Sequence, residues 1–334
     1  MMRAEVTFTQ GLVYTKDLVI LAGAGDSLGD FAPFTRIFQW ADEPPPKWWS
    51  HDVKWRTMAL AYFGPSTEDL DDFLVLSDEG QIEFRGEHGP MIEKIPGAGV
   101  FSEDAKGWGY MRTLRQIGDH LYAVGGAGQV YKRLGADHWE HMDDGVLQAP
   151  DVEDRLLLAD INGATEDDIY ICGGIPGAYG LEGRLYHWNG KQWSGLALPT
   201  TERLTAIYVD DNKNIWICGA NGTLLLGNWI DGFKDLSSID DNQLFYSLTK
   251  FNDTMYLASN LGLFFYDGKS IQKVQTGLHS ELQDANVIDA ADGVLWSIGF
   301  KDIARFDGIK WERIHHPDNP PIGGKTGSAA AGKP

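Results

Sequence analysis

Three groupings of side chains in this chain have the composition of a chemical site. His138 and His141 flank Trp139, and His315-His316 stand close to the end. Imidazole is a common metal ligand, but on a strand residues three apart point to opposite faces, and no Cys or Asp stands at a compelling ligand spacing. Gly323-Gly324-Lys325-Thr326 carries the Gly-Lys-Thr ending of a phosphate loop. No glycine stands five residues before Gly324, and nothing around it reads as the flanking strand and helix that such a loop needs. Carboxylates form the third grouping, but their pairs recur too often for spacing to single out an acid–base dyad. The sequence therefore assigns no catalytic residue, no metal and no cofactor.

Residue types suited to binding are more concentrated. The stretch 25–55 holds Phe31, Phe34, Phe38, Trp40, Trp48, Trp49 and Trp55, and the stretch 97–110 holds Phe101, Trp108 and Tyr110. A Gly-rich segment, 174–183, carries Tyr179. Trp and Tyr are frequent anchors of protein interfaces. Large aromatics are also buried on average, so the competing expectation is a satellite core over one face. Asp151, Glu153 and Asp154 add a polar group of candidate contacts in another connection. Further acids at 68–72, Glu166-Asp167-Asp168 and Asp210-Asp211 each precede an apolar run, where Asp serves turns through local hydrogen bonds.

Those apolar runs are the elements that must position everything else. A four-residue phrase recurs seven times, starting at Leu18, Phe73, Leu121, Ile169, Ile215, Met255 and Leu295, at intervals of 40 to 55 residues. Self-similarity at that period is the signature of propeller blades, each a four-stranded sheet. Within one repeat, Leu121 to Val124 is stopped by Gly125-Gly126, followed by Gln129-Val130-Tyr131, a Gly135-Ala136-Asp137 turn and Trp139. Short β-rich runs split by Gly and Asp turns are hairpin meanders. The expected fold is all-β: one seven-bladed β-propeller of four-stranded antiparallel blades over residues 1–317, with 25–55 and 97–110 as insertions. Residues 6–16 supply either the first strand of blade one or a clasp on the last blade, and the first is favoured. From 318 the composition turns to Pro, Gly, Ser, Ala and Lys, as in a disordered tail or expression remnant. Cys172 and Cys218 hold the same position of the phrase in neighbouring repeats and read as small buried residues.

The double Gly, Tyr and Trp of one repeat (Gly173-Gly174, Tyr186, Trp193), nearly repeated at Gly125-Gly126, Tyr131 and Trp139, resemble the kelch type of propeller repeat. The whole arrangement looks like a divergent kelch-like or WD40-like seven-bladed propeller, although no WD dipeptide occurs. More loosely, and without a motif, it is similar to bacterial toxin-neutralising immunity propellers.

Charge narrows the function. Forty-eight acidic against 28 basic residues leave a formal net charge of −20, which repels nucleic-acid phosphates and anionic membranes and speeds encounter with a basic partner. Solubility is the other use of such acidity. With no secretory leader in the opening residues and only two cysteines, the expected compartment is the cytoplasm. The leading expectation is a non-catalytic monomer that binds a basic protein, in its most concrete form an immunity protein occluding a nuclease-like toxin. The alternative is a carbohydrate-binding or carbohydrate-active propeller, in which Trp48, Trp49 and Trp108 stack on sugar rings at the channel mouth.

Overall fold

Each recurring phrase is the second strand of a blade. The computed structural model describes residues 5–29, 31–43, 45–64, 72–86 and 89–322. These form seven sheets of four antiparallel strands in sequential order: 6–53, 57–94, 111–141, 157–195, 204–235, 245–273 and 287–314. No helix occurs among the described residues. The phrases are continuous rather than alternating in hydrophobicity because a blade is covered on both faces. Ile169, Tyr170, Ile171 and Cys172 are all fully buried in this way. The core is correspondingly divided into seven clusters, each drawn from two neighbouring blades. Cys172 and Cys218 are free and buried in adjacent blades.

The tryptophans of the kelch-like repeats seal these inter-blade layers. The Trp139 indole N–H of blade three donates to Glu93 of blade two at 3.0 Å, and Arg133 grips the same carboxylate at 2.6 and 2.9 Å. Trp193 of blade four donates across to the Met142 carbonyl at 2.5 Å.

Two expectations about chain organisation are corrected. Residues 25–55 are not an insertion: they contain the third and fourth strands of blade one, Thr35–Ala41 and Lys47–Val53. The interval from Leu18 to Phe73 is wide because the second strand, Leu18–Gly25, is long and the nine residues 26–34 separate it from the third. The propeller also runs past residue 317. Asn319 donates to the Val6 carbonyl at 3.0 Å and accepts from the Val6 N–H at 2.7 Å.

Val6–Thr15 is the first strand of blade one, so no strand is shared between blades one and seven. Closure instead rests on the Asn319 bonds, the Phe8 N–H to the Phe300 carbonyl at 2.8 Å, and the packing of Trp40 on Trp296. Strand alternation sorts the loops onto two faces. The first-to-second and third-to-fourth hairpins share one, here the turn face; the second-to-third hairpins and the links between blades share the other, the connection face. The acidic turn at 68–71 and the tail from 323 lie outside the described residues.

Candidate protein-binding face

The link between blades two and three, residues 95–110, is the most elaborate feature of the connection face, and buried or bridging charges hold it in one shape. Glu79, in the second-to-third hairpin of blade two, accepts the N–H groups of Val100, Phe101 and Ser102 at 3.0, 2.9 and 2.9 Å. Gly99 has φ +96°, and a Cβ there would collide with that carboxylate, so this position needs glycine. Lys94 donates to the carbonyls of Ile95 and Ala98 at 2.7 and 3.0 Å. Asp104 accepts the Gly97 N–H at 2.7 Å; burial pushes its carboxyl up, but Gly97 and Lys94 outweigh this and hold it below the usual range. A bridge between Gly99 and Gly109 closes the base, and Arg155 donates to the Gly107 carbonyl at 2.7 Å.

On this fixed support Phe101 stands 81% exposed. Its ring lies 6.4 Å from Tyr110, the Arg56 guanidinium covers Tyr110 at 4.9 Å, and the same guanidinium covers Phe31 at 5.1 Å. Phe31 is itself 79% exposed, in the loop at 26–34. Arg56 is anchored by Asp78 at 3.1 Å. Phe31, Arg56, Tyr110 and Phe101 thus form one continuous ledge. Such a surface offers apolar anchors with little left to order on binding.

The expected contact residues divide on the structure. Phe31, Phe101 and Tyr110 meet in the ledge, with Phe34 half-buried in the same loop as Phe31. Asp151, Glu153 and Asp154 lie exposed in the link between blades three and four, on the same face, and make no hydrogen bond or ion pair among the described residues. Tyr179 is fully exposed at a hairpin tip of blade four, again on this face. Trp108 is half-buried and braces the link, its ring 5.1 Å from His141.

Trp40, Trp48 and Trp49 do not join them, because they are strand residues near the turn-face hairpin at 42–46. Trp40 is buried against Trp296, and Trp48 packs on His316 at 4.7 Å. Trp49 is exposed, in a side cleft of about 690 Å³ beside Asp42, Glu43 and His51. The two aromatic stretches therefore do not share a rim as a whole; only 26–34 joins 97–110. Of the three tryptophans considered for sugar stacking, Trp49 alone is open, and it stands away from the channel mouth. The histidines are committed locally: His141 contacts Asp143 at 2.9 Å and His138 contacts Glu140 at 3.3 Å. No metal-binding cluster occurs among the described residues.

Sequence reasoning passed over two features. Gly25-Asp26-Ser27-Leu28-Gly29 has the spacing of a nucleophile elbow, but it forms a loop between strands, whereas an elbow turns from strand into helix. The second is a set of arginines. The first strands line a central cavity of about 840 Å³, whose charged walls are Arg112, Arg115, Arg203, Asp160 and Asp289. In six first strands the register with the second strand skips one residue near the connection face: Thr9, Met58, Arg112, Ala159, Thr205 and Tyr246. A bulge re-aims the skipped side chain, and in blade three that residue is Arg112. The repeat phase of these first strands was the available signal.

Known proteins bear on both fold and family. No family model matches the chain. Among solved structures it is similar to the protein YCF48 bound to D1 peptide (TM-score 0.61, 12% identity, 94% of each chain) and to the WD40 propeller domain of Doa1 (0.60, 9%, 90% of this chain and 92% of that one). It also resembles the extracellular domain of the one-component system BT4673 of B. thetaiotaomicron (0.59, 16%), covering 91% of this chain but spanning only 38% of that one. At such identities these likenesses establish the propeller fold alone. The immune protein Tsi7 of Pseudomonas aeruginosa is 32% identical over 248 residues, 74% of this chain and 77% of Tsi7. At that identity over that span, the chain belongs to the family of the immune protein Tsi7.

Proposed function

We propose that this chain is an immunity protein, a non-catalytic binding propeller that neutralises a toxin by covering it with the connection face. The observation that carries the reading is the match to Tsi7 over 74% of the chain. The choice of face is supported by the ledge, where Phe101 is held out on a link already fixed by Glu79, Lys94 and Asp104. A formal charge of −20 favours a cationic toxin of nuclease type, met in the cytoplasm by a monomer and drawn in by steering.

The test uses as its toxin candidate the product of the gene adjacent to this chain's own. Co-expression of the propeller should rescue growth, and a Phe31→Ala/Phe101→Ala double variant should raise Kd about 30-fold or more, at roughly 2 kcal/mol for losing exposed anchors of this kind. Because both rings are mostly exposed, Tm should stay within a few degrees. An unchanged Kd would move the interface off this face, and failure of the wild type to bind would end the immunity reading. The carbohydrate alternative retains one foothold, the Trp49 cleft, and a glycan whose binding is abolished by Trp49→Ala would favour it.

A further inference from the structure

The channel mouth on the connection face is cationic in a strongly acidic chain. Arg112 and Arg203 both line the cavity, and among the described residues neither guanidinium makes a hydrogen bond or ion pair. The remaining charged walls are committed or weakened. Arg115 is held by Asp160 at 3.2 Å, and Asp160 also accepts the N–H groups of Ile161 and Ile207 at 2.9 and 2.8 Å. Asp289 accepts the Ala290 N–H at 2.8 Å, and burial pushes its carboxyl up to about 6. Three guanidiniums thus face two carboxylates. Arg112 is reached by water yet walled by protein, and that enclosure, with Arg203 and Arg56 nearby, pushes its guanidinium below its ordinary value.

Like charges enclosed together oppose folding unless something supplies the opposite charge, and low-dielectric walls focus their field on the opening. The opening adjoins the ledge along the chain, because Met58 and Arg112 of the cavity wall stand two residues after Arg56 and Tyr110 of the ledge. Guanidinium forks favour carboxylates, which they bind through paired hydrogen bonds.

We propose that the channel mouth is a carboxylate site, filled in the complex by an acidic side chain that the docked toxin inserts at Arg112 and Arg203. This rests on the immunity reading for its source of carboxylate, but the site itself does not. An overall basic toxin would then be drawn in by the acidic exterior and oriented by one acid placed at the axis. On a ring of similar blades such an off-pattern charge adds to the ledge in fixing the register of docking.

The experiment has two arms on the full chain, run with Arg112→Gln, Arg203→Gln and the double variant at matched ionic strength. In the first, glutarate is titrated calorimetrically as the probe. The wild type should bind it one to one, and the double variant should lose at least tenfold in affinity. In the second, the same variants meet the toxin candidate from the adjacent gene, with at least tenfold weaker binding expected. Each variant should keep Tm within a few degrees, since it removes a side chain without a partner among the described residues; Arg112→Lys and Arg203→Lys serve as charge-retaining controls that keep part of the affinity. Failure of the wild type to bind glutarate overturns the carboxylate site. Lost glutarate binding with unmoved toxin affinity overturns the toxin as its source. A toxin that binds no variant, wild type included, removes the immunity reading while the glutarate arm still decides the site.

Discussion

At the scale of single residues, two carboxylates carry opposite pH signatures. Glu166 lies between blades three and four. Burial pushes its carboxyl up, but Lys132 at 2.7 Å, His120 at 2.6 Å and the Asp119 N–H at 3.1 Å outweigh this and hold it at about 2. Its stabilisation is full above the unfolded value near 4.5 and is lost as pH falls towards 2. Asp289 runs the other way. Its folded value of about 6 exceeds 3.8, so its ionisation opposes folding at neutral pH, and stability is gained as pH falls from above 6 towards 4. Denaturant unfolding between pH 3 and 8 should therefore find Glu166→Gln less stable at pH 7, and Asp289→Asn more stable, each by on the order of 1–3 kcal/mol. The Glu166→Gln difference should fall to roughly half or less by pH 3, and the Asp289→Asn gain should shrink below pH 6. An Asp289→Asn variant that is less stable at pH 7 would contradict the enclosure of that carboxylate.

At the scale of elements, the link at 95–110 shows how a loop becomes a rigid binding element. Its rigidity is set by Glu79, a residue of the preceding hairpin, and by the space at Gly99. Gly99→Ala should expel the carboxylate from its three N–H donors. Amide exchange at Val100, Phe101 and Ser102 should rise at least tenfold, with toxin affinity falling while the inter-blade core stays protected. Unchanged exchange would mean the link is fixed by its base alone. The second strands were legible in the sequence because burial on both sides writes a continuous apolar phrase. Blade one was not, because Phe38, Trp40, Trp48 and Trp49 on its outer strands have the same composition as an interface insertion, and composition does not report which way a ring faces. Phe31 and Phe101 were legible as departures from the repeat. Arg112 was not, since it reaches the channel only through a skipped register position. The acidic turns divide: Asp211 accepts backbone N–H groups two and three residues on, as Asp267 and Asp307 do in third-to-fourth hairpins, whereas Glu166 and Asp210 pair with Lys132 and Lys250 of neighbouring blades.

At the scale of the whole molecule, charge and architecture divide the labour of recognition. The net charge of −20 acts at long range, where salt screens it, while the ledge acts on contact. Raising salt from about 50 to 500 mM should slow association with a basic toxin by about tenfold or more and leave dissociation much less affected. Salt-independent association would remove the steering role and leave the acidity to solubility.

The seam between blades one and seven has a consequence at a different level. Many closed rings would need one sheet to be completed from both ends of the chain, so that losing or gaining a unit unsettles the sheet that straddles the join. Here every sheet is built from one uninterrupted stretch, and the join is a packed apolar seam with ion pairs and the bonds around Asn319 and Phe8, but no strand pairing. Duplication or deletion of a whole repeat by recombination leaves the strand pairing of all other sheets intact and puts the cost on the packing angles between blades. Blade number, and with it the bore of the channel, is thus set by packing between sheets and not by strand exchange within one.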